Sequence, residues 1–173
     1  MQVDREEEFI LRVECIRIGS VRLSLALMLG LLVVPGFIVA PVLFDKAGSV
    51  SLAGALAGEI FHMANLGLML LSAAVIVFWL RMRSAGMQIG RLRWGLLALV
   101  TALIVANEYT ISPILAELKV QIASLDAVTD EHPLRKQFGM WHGVSASIHL
   151  IAAITAAALV ALGPTKPGEA CSS

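Results

Sequence analysis

The sequence predicts an all-α fold: a four-transmembrane-helix bundle built from two tandem helical hairpins, with an N-terminal amphipathic surface helix. The first observation behind this prediction is composition, since 58% of the 173 residues are hydrophobic and only 15% are charged. Ordinary globular chains are about 45–50% apolar and about 25% charged. The second observation is that the apolar residues form four blocks. Each block provides the roughly 20 residues that a helix needs to cross a bilayer.

The four predicted spans follow one another with short connections between them. They cover residues 23–44, 60–80, 94–118 and 138–162. Ionisable residues are rare inside them and charged or small residues join them, which favours a membrane bundle over buried helices of a soluble domain. The predicted organisation is a cytoplasmic amphipathic segment over 1–22, a four-helix transmembrane domain over 23–163 and a disordered tail over 164–173.

The N-terminal segment shows the pattern of a helix with one apolar face. Phe9, Ile10, Val13 and Ile16 recur at helical spacing, with arginine and glutamate between them. Such a helix is expected to lie on the membrane surface. A helix that docks onto a partner protein is the alternative interpretation.

The distribution of basic residues predicts the orientation. Nine Lys and Arg residues fall on one predicted side of the membrane and four on the other. Because Lys and Arg concentrate in cytoplasmic loops, we expect a multi-pass protein of the bacterial inner membrane with both termini in the cytoplasm. Its expected partners are the lipid bilayer and either a second copy in a homodimer or a larger membrane complex. A net charge of zero without a long basic run speaks against nucleic acid as a partner.

The two halves of the chain resemble each other. Pro41 lies in the motif VAPVL and Pro113 in the motif ISPIL, 72 positions later. The second and fourth spans are linked by a weaker match, in which FHMAN begins at Phe61 and FGMWH begins at Phe138, 77 positions later. A duplicated hairpin would place a pseudo-twofold axis along the membrane normal. Coincidence within apolar sequence is the alternative.

Polar residues inside the spans are candidates for function, because ionisable groups are costly in a membrane. Most are expected at one level in the outer half of the bilayer, with His149 about 10 Å deeper than His142. The predicted metal ligands are Glu59, His62, Glu108 and His142. The predicted cofactor-binding residues are His142, His149, Asn65 and Asn107. Copper would accept imidazole ligands, and a haem would accept two axial histidines.

Other interpretations of the polar residues stay open. A histidine or asparagine in a bundle also hydrogen-bonds across helices without binding a ligand. In that case the protein is a non-catalytic accessory or structural subunit of a membrane complex. An enzyme is disfavoured because the sequence contains no nucleophile elbow, phosphate loop, cysteine pair or nucleotide fingerprint.

Several motifs together resemble a known group of proteins. The motifs are APVLF at 40–44, AGALAGEIF at 53–61, Asn107 with Pro113, and WHGVS at 141–145. Over 24–163 the chain resembles a bacterial membrane protein family of unknown function that is related to the transmembrane protein 205 group. The resemblance implies four transmembrane helices and no particular biochemistry. His149 departs from the family pattern, which has asparagine there, and a more distant similarity to copper-resistance D-type membrane proteins adds weight to a metal ligand.

Overall fold

The computed structural model describes residues 2–122, 127, 129 and 131–162, and it describes side chains from residue 12 onward. Every secondary-structure element in this part of the chain is helical, which confirms the all-α prediction. The elements are α1 (Gln2–Val34), a first π turn (Pro35–Val39), α2 (Ala40–Lys46), α3 (Val50–Ser84), α4 (Arg91–Ala106), a second π turn (Asn107–Ile111), α5 (Ser112–Ile122) and α6 (Pro133–Ala161). The predicted tail over 164–173 lies outside the described residues.

Four helical segments are long and apolar enough to cross a membrane, as the sequence predicts. They are the first span Arg12–Lys46, the second span Val50–Ser84, the third span Arg91–Ile122 and the fourth span Pro133–Ala161. Each is longer than predicted because the helices continue into the charged connections. In particular, α1 runs without a break through residue 22, so the N-terminal segment continues the first span. Its amphipathic face stays a prediction, because the side chains of residues 2–11 lie outside the description.

Short connections make consecutive spans antiparallel, which gives the two predicted hairpins. The first connection ends at Ser49, whose hydroxyl accepts a 3.1 Å hydrogen bond from the Leu52 amide and caps α3. It also contains Gly48 at a φ of 74°, a conformation that favours glycine. The second connection contains Gly86, at a φ of 87°. Pro133 occupies the first turn of α6, where its missing N–H costs nothing.

The four spans form a ring in which each span packs against two others. The first span contacts the second and the fourth, and the third span contacts the same two. Met28, Leu32, Leu68, Val75 and Val100 are completely buried in the shared core. Gly67 allows the first and second spans to approach closely, since a Cβ at that position would lie 3.1 Å from Cδ1 of Leu31. The hairpins therefore pack side by side through both of their helices.

The two π turns occur at equivalent places in the first and third spans. They begin at Pro35 and Asn107, and both beginnings and both ends are 72 positions apart. This is the same offset as that between Pro41 and Pro113, which follow the two π turns by two residues. A proline ring inside a helix clashes with the carbonyl group four residues earlier, and that carbonyl lies inside the π turn in each case. The prolines therefore explain the wider turns, and the coincidence supports a duplicated hairpin.

Candidate functional site

The Glu108 carboxylate is the central group of the polar cluster, because it connects the third span to the second. It lies in the second π turn and is 8% exposed. One of its oxygens lies 2.5 Å from Nδ1 of His62. The other accepts a 2.7 Å hydrogen bond from the side-chain amide of Asn65, which is itself buried. Because an unpaired carboxylate inside a membrane is costly, these two contacts explain how glutamate is accommodated at this depth.

The His62 imidazole links the buried carboxylate to the outside of the bundle. Its side chain is 50% exposed, in contrast to that of Glu108. A carboxylate oxygen accepts a hydrogen bond, so Nδ1 of His62 carries the proton in this contact. Within the described part of the chain, Nε2 makes no hydrogen bond. The pair therefore presents an oriented, half-exposed imidazole whose second nitrogen stays available.

A second polar contact joins the fourth span to the first. Nε2 of His149 lies 2.7 Å from the carbonyl oxygen of Leu32, and it must donate because a carbonyl can only accept. The ring passes over Gly36 in the first π turn, where a Cβ would lie 3.5 Å from Cδ2 of His149. A Cβ at this distance would be in ordinary van der Waals contact with the ring, so a side chain longer than that of alanine would compete with the imidazole for the same space. Gly36 thus leaves room for the ring beside the first π turn.

An aromatic contact joins these two hydrogen-bonded groups into one layer across the bundle. The rings of Phe61 and His149 meet edge to face, with centroids 5.1 Å apart. Phe61 directly precedes His62 in the chain. We call this set the polar layer, and its members are Leu32, Gly36, Phe61, His62, Asn65, Glu108 and His149. All four spans contribute to it.

The structure places three of the predicted site residues outside the polar layer contacts. Glu59 is exposed and lines a cavity of about 390 Å³ between the first and second spans. His142 is exposed, and its ring stacks on that of Phe138 with centroids 6.0 Å apart. Asn107 is buried beside Glu108, and its side-chain oxygen has no hydrogen-bond partner within the described residues. A buried polar atom without a partner is rare, and among the described residues the hydroxyl of Ser72 is the other example.

The four predicted metal ligands do not come together as one group in the structure. Of Glu59, His62, Glu108 and His142, only His62 and Glu108 meet. Among the described residues, no group of three or more His, Cys, Asp or Glu side chains could hold a metal ion. Helix geometry explains why His142 is not part of the group. It lies seven residues before His149 in the fourth span, which is about 10 Å along the helix axis. Only one of the two can lie at the level of Glu108, and it is His149.

Sequence reasoning missed three members of the polar layer, namely the Leu32 carbonyl, Gly36 and Phe61. A backbone carbonyl carries no side-chain signal, and phenylalanine is ordinary in a membrane helix. The Pro35-Gly36 pair was the available signal, because such a pair inside a span marks a distorted helix with space beside its backbone.

The fold and the polar layer together define a multi-pass membrane protein with four helices and a hydrogen-bonded polar layer in its interior. The model of the family described as a domain of unknown function, DUF4149, matches residues 23–124, and the chain belongs to this family. No curated protein and no solved structure matches the chain.

Proposed function

We propose that the chain is a non-catalytic membrane protein that binds a small ligand at the His62–Glu108 pair, with a transition-metal ion as the leading candidate. The observation that carries this proposal is the contact between Nδ1 of His62 and the buried Glu108 carboxylate. A histidine that donates its proton to a carboxylate presents its other nitrogen as a ligand, and metal-binding histidines are oriented in this way. The free Nε2 belongs to a side chain that is half exposed.

One oriented histidine leaves most of the coordination to other groups. Copper or a haem iron would accept the Nε2 atom of His62. The remaining positions would be filled by water or by the same histidine of a second copy, which connects this proposal to a homodimer. The buried charge of Glu108 would increase the basicity of the imidazole and compensate the charge of the ion.

Metal and haem analysis of the purified protein tests the proposal. The full-length protein is purified in detergent from cells supplied with copper, iron or haem. Bound metal is quantified by elemental analysis, and haem by its visible absorbance. We expect bound ligand in the unaltered protein, loss of it in His62→Ala, and retention in His142→Ala. The last variant is the matched control because His142 is exposed and, among the described residues, its ring stacks on Phe138 without a hydrogen bond. Absence of metal and haem under every supplement, or equal loss in both variants, would refute the proposal.

A structural role is the second candidate, and one observation favours it. Both oxygens of Glu108 are occupied by side chains of the second span, so the cluster joins the two hairpins without any ligand. The protein would then be an accessory or structural subunit of a larger membrane complex. In that case His62→Ala lowers thermal stability without changing ligand content, and mild-detergent purification returns the protein with defined partners. Repeated recovery of the protein alone would contradict this candidate.

We also propose the cellular placement that the basic residues indicate. The chain would lie in the bacterial inner membrane with both termini in the cytoplasm, and its family would be related to the transmembrane protein 205 group. Four candidate spans support the even number of crossings that this orientation requires. Single cysteines introduced at Ala47 and Ala85, which lie in the same connections at negative φ, test it in intact cells after Cys15 and Cys171 are replaced by serine. A membrane-impermeant thiol reagent should label position 47 and spare position 85, and the reverse pattern would invert the proposed orientation.

A further inference from the structure

A cavity of about 400 Å³ lies between the spans at the end of the bundle where the second and third spans are connected. The residues that line it come from all four spans. Its walls are apolar and include Val21, Leu25, Trp79, Met82, Leu159 and Val160. The volume falls within the range of roughly 300–1,000 Å³ that is typical of small-molecule sites. This cavity is separate from the polar layer, since no residue of that layer lines it.

Two arginines line the same cavity. Arg22 is exposed, and within the described part of the chain its side chain makes no hydrogen bond or ion pair. Arg93 is half-buried and donates a 3.0 Å hydrogen bond from Nη2 to the carbonyl oxygen of Leu162 at the end of α6. A guanidinium has five N–H donors, so this bond leaves others for a second acceptor. Of the described residues that line the cavity, none is acidic.

The cavity opens toward the lipid rather than toward the centre of the bundle. Ala26 on the first span and Val160 on the fourth span both line it, and both are exposed. Ile18 and Val21 on the same face of the first span are buried and form its inner wall. An acyl chain could therefore enter sideways between the first and fourth spans.

The aromatic residues indicate the depth of the cavity. Trp79 forms part of its wall and meets Trp94 edge to face, with ring centroids 5.1 Å apart. Tryptophan is enriched at the level of the lipid headgroups. Arg22 lies about one helical turn before Ala26, so its charge is nearer the end of the bundle than the apolar rim. On the first span the apolar wall continues inward from Arg22 to Leu25 and Ala26, while Ile18 lies about one turn nearer the end.

We propose that this cavity binds an anionic phospholipid, with the phosphate between Arg22 and Arg93 and an acyl chain along the apolar wall. Charge and shape both support this occupant. Two guanidinium groups with no acidic neighbour in the wall attract an anion, and arginine binds phosphate oxygens with paired hydrogen bonds. Basic pockets between transmembrane helices are a known mode of recognising anionic headgroups. A soluble phosphate compound would not use the apolar wall.

Native mass spectrometry of the full-length protein tests the site. The protein is released from detergent in the presence of phosphatidylglycerol or of phosphatidylcholine with identical acyl chains. We expect phosphatidylglycerol to be retained in preference, and Arg22→Gln to weaken its binding about fivefold, which is the contribution of one basic residue near a membrane surface. Arg83→Gln is the matched control, because it removes the same charge at the same end from an exposed residue that does not line the cavity.

A second pair of variants tests the apolar wall without changing charge. Ala26→Phe places a ring at the lipid-facing rim and should reduce phosphatidylglycerol binding. Ala55→Phe adds the same ring to an exposed position of the second span outside the cavity, and it should leave binding unchanged. Equal binding of the two lipids would overturn the proposal, as would equal loss in Arg22→Gln and Arg83→Gln. Binding of glycerol phosphate as tight as that of the whole lipid would also overturn it, since the apolar wall would then play no part.

Discussion

Replacing Glu108 by alanine should destabilise the protein through the partner that it leaves behind. Asn65 is 2% exposed and donates to Glu108 at 2.7 Å, so the substitution buries an amide without its acceptor. Such a group costs about 1–3 kcal/mol. Measured interhelical hydrogen bonds in membranes are weaker, at about 0.6 kcal/mol on average, which places the expected value in the lower half of that range.

The expected loss is large enough to measure. For a chain of this size, 1 kcal/mol shifts the unfolding temperature by roughly 2–4 °C. Glu108→Ala should therefore lower the melting temperature in detergent by about 2–8 °C. Glu117→Ala is the control, since Glu117 is an exposed carboxylate of the same span whose hydrogen bond among the described residues comes from Gln121. That change should stay within about 0.5 kcal/mol.

Two further variants test whether the loss of stability in Glu108→Ala comes from the unpaired Asn65 amide or from another cause. In Glu108→Gln the carbonyl oxygen still accepts from Asn65, and the amide donates to Nδ1 of His62 after a change of tautomer. We expect it to keep most of the stability. Replacing both partners with apolar groups leaves no buried amide without an acceptor. The double variant Glu108→Ala with Asn65→Leu should therefore be more stable than Glu108→Ala alone. The interpretation of Glu108 as a paired buried group is refuted if Glu108→Ala and Glu117→Ala have the same melting temperature. It is also refuted if adding Asn65→Leu to Glu108→Ala lowers the melting temperature further.

Three glycine substitutions test the close contacts between spans by thermal unfolding in detergent. Gly36→Leu should destabilise by about 1–3 kcal/mol, because its side chain displaces His149 from the Leu32 carbonyl; equal stability would remove Gly36 from the polar layer. Gly67→Val should cost about 1–3 kcal/mol through its contact with Leu31. Gly95→Ala has nothing within 4 Å of its new Cβ and should stabilise the helix by up to about 1 kcal/mol. A loss there as large as that at Gly67 would show that local space does not decide the outcome.

Most of the fold could be predicted from the sequence because the bilayer restricts the alternatives. In lipid every backbone polar group must be satisfied internally, so an apolar block of about 20 residues is almost necessarily a helix. What composition could not give is where each helix ends. Charged residues such as Arg17 and Arg22 mark the edge of the hydrocarbon region, but they are good helix formers. The helix therefore passes through the boundary expected at residue 22.

The candidate site was harder to predict than the fold. Two side chains meet only if they face each other around their helix axes and also lie at the same depth in the membrane. His62, Asn65 and Glu108 were predicted at one height, and they do meet. The fourth span offered two histidines on nearly the same face, and the packing places His149 rather than His142 inside the bundle, with its ring beside Gly36. The glycine has no chemistry of its own to attract notice. A close approach beside a glycine cannot be found by searching the sequence for polar residues.

The two π turns make comparable contacts across the boundary between the hairpins, which is the arrangement that a duplicated hairpin predicts. Under a twofold exchange of hairpins, the contact of the first π turn with the fourth span corresponds to the contact of the second π turn with the second span. Both are observed, and each brings a histidine to the π turn. The sequence match between the second and fourth spans, at an offset of 77 positions, does not agree with this correspondence. It pairs Asn65 with His142, whereas the histidine that makes the contact is His149, seven residues further on. The two hairpins thus share the distorted turns and differ in the side chains on them. Gly36 in the first hairpin leaves room for the His149 ring, whereas Glu108 in the second hairpin extends toward His62 and Asn65. Among the described residues, Glu108 is the buried charged side chain.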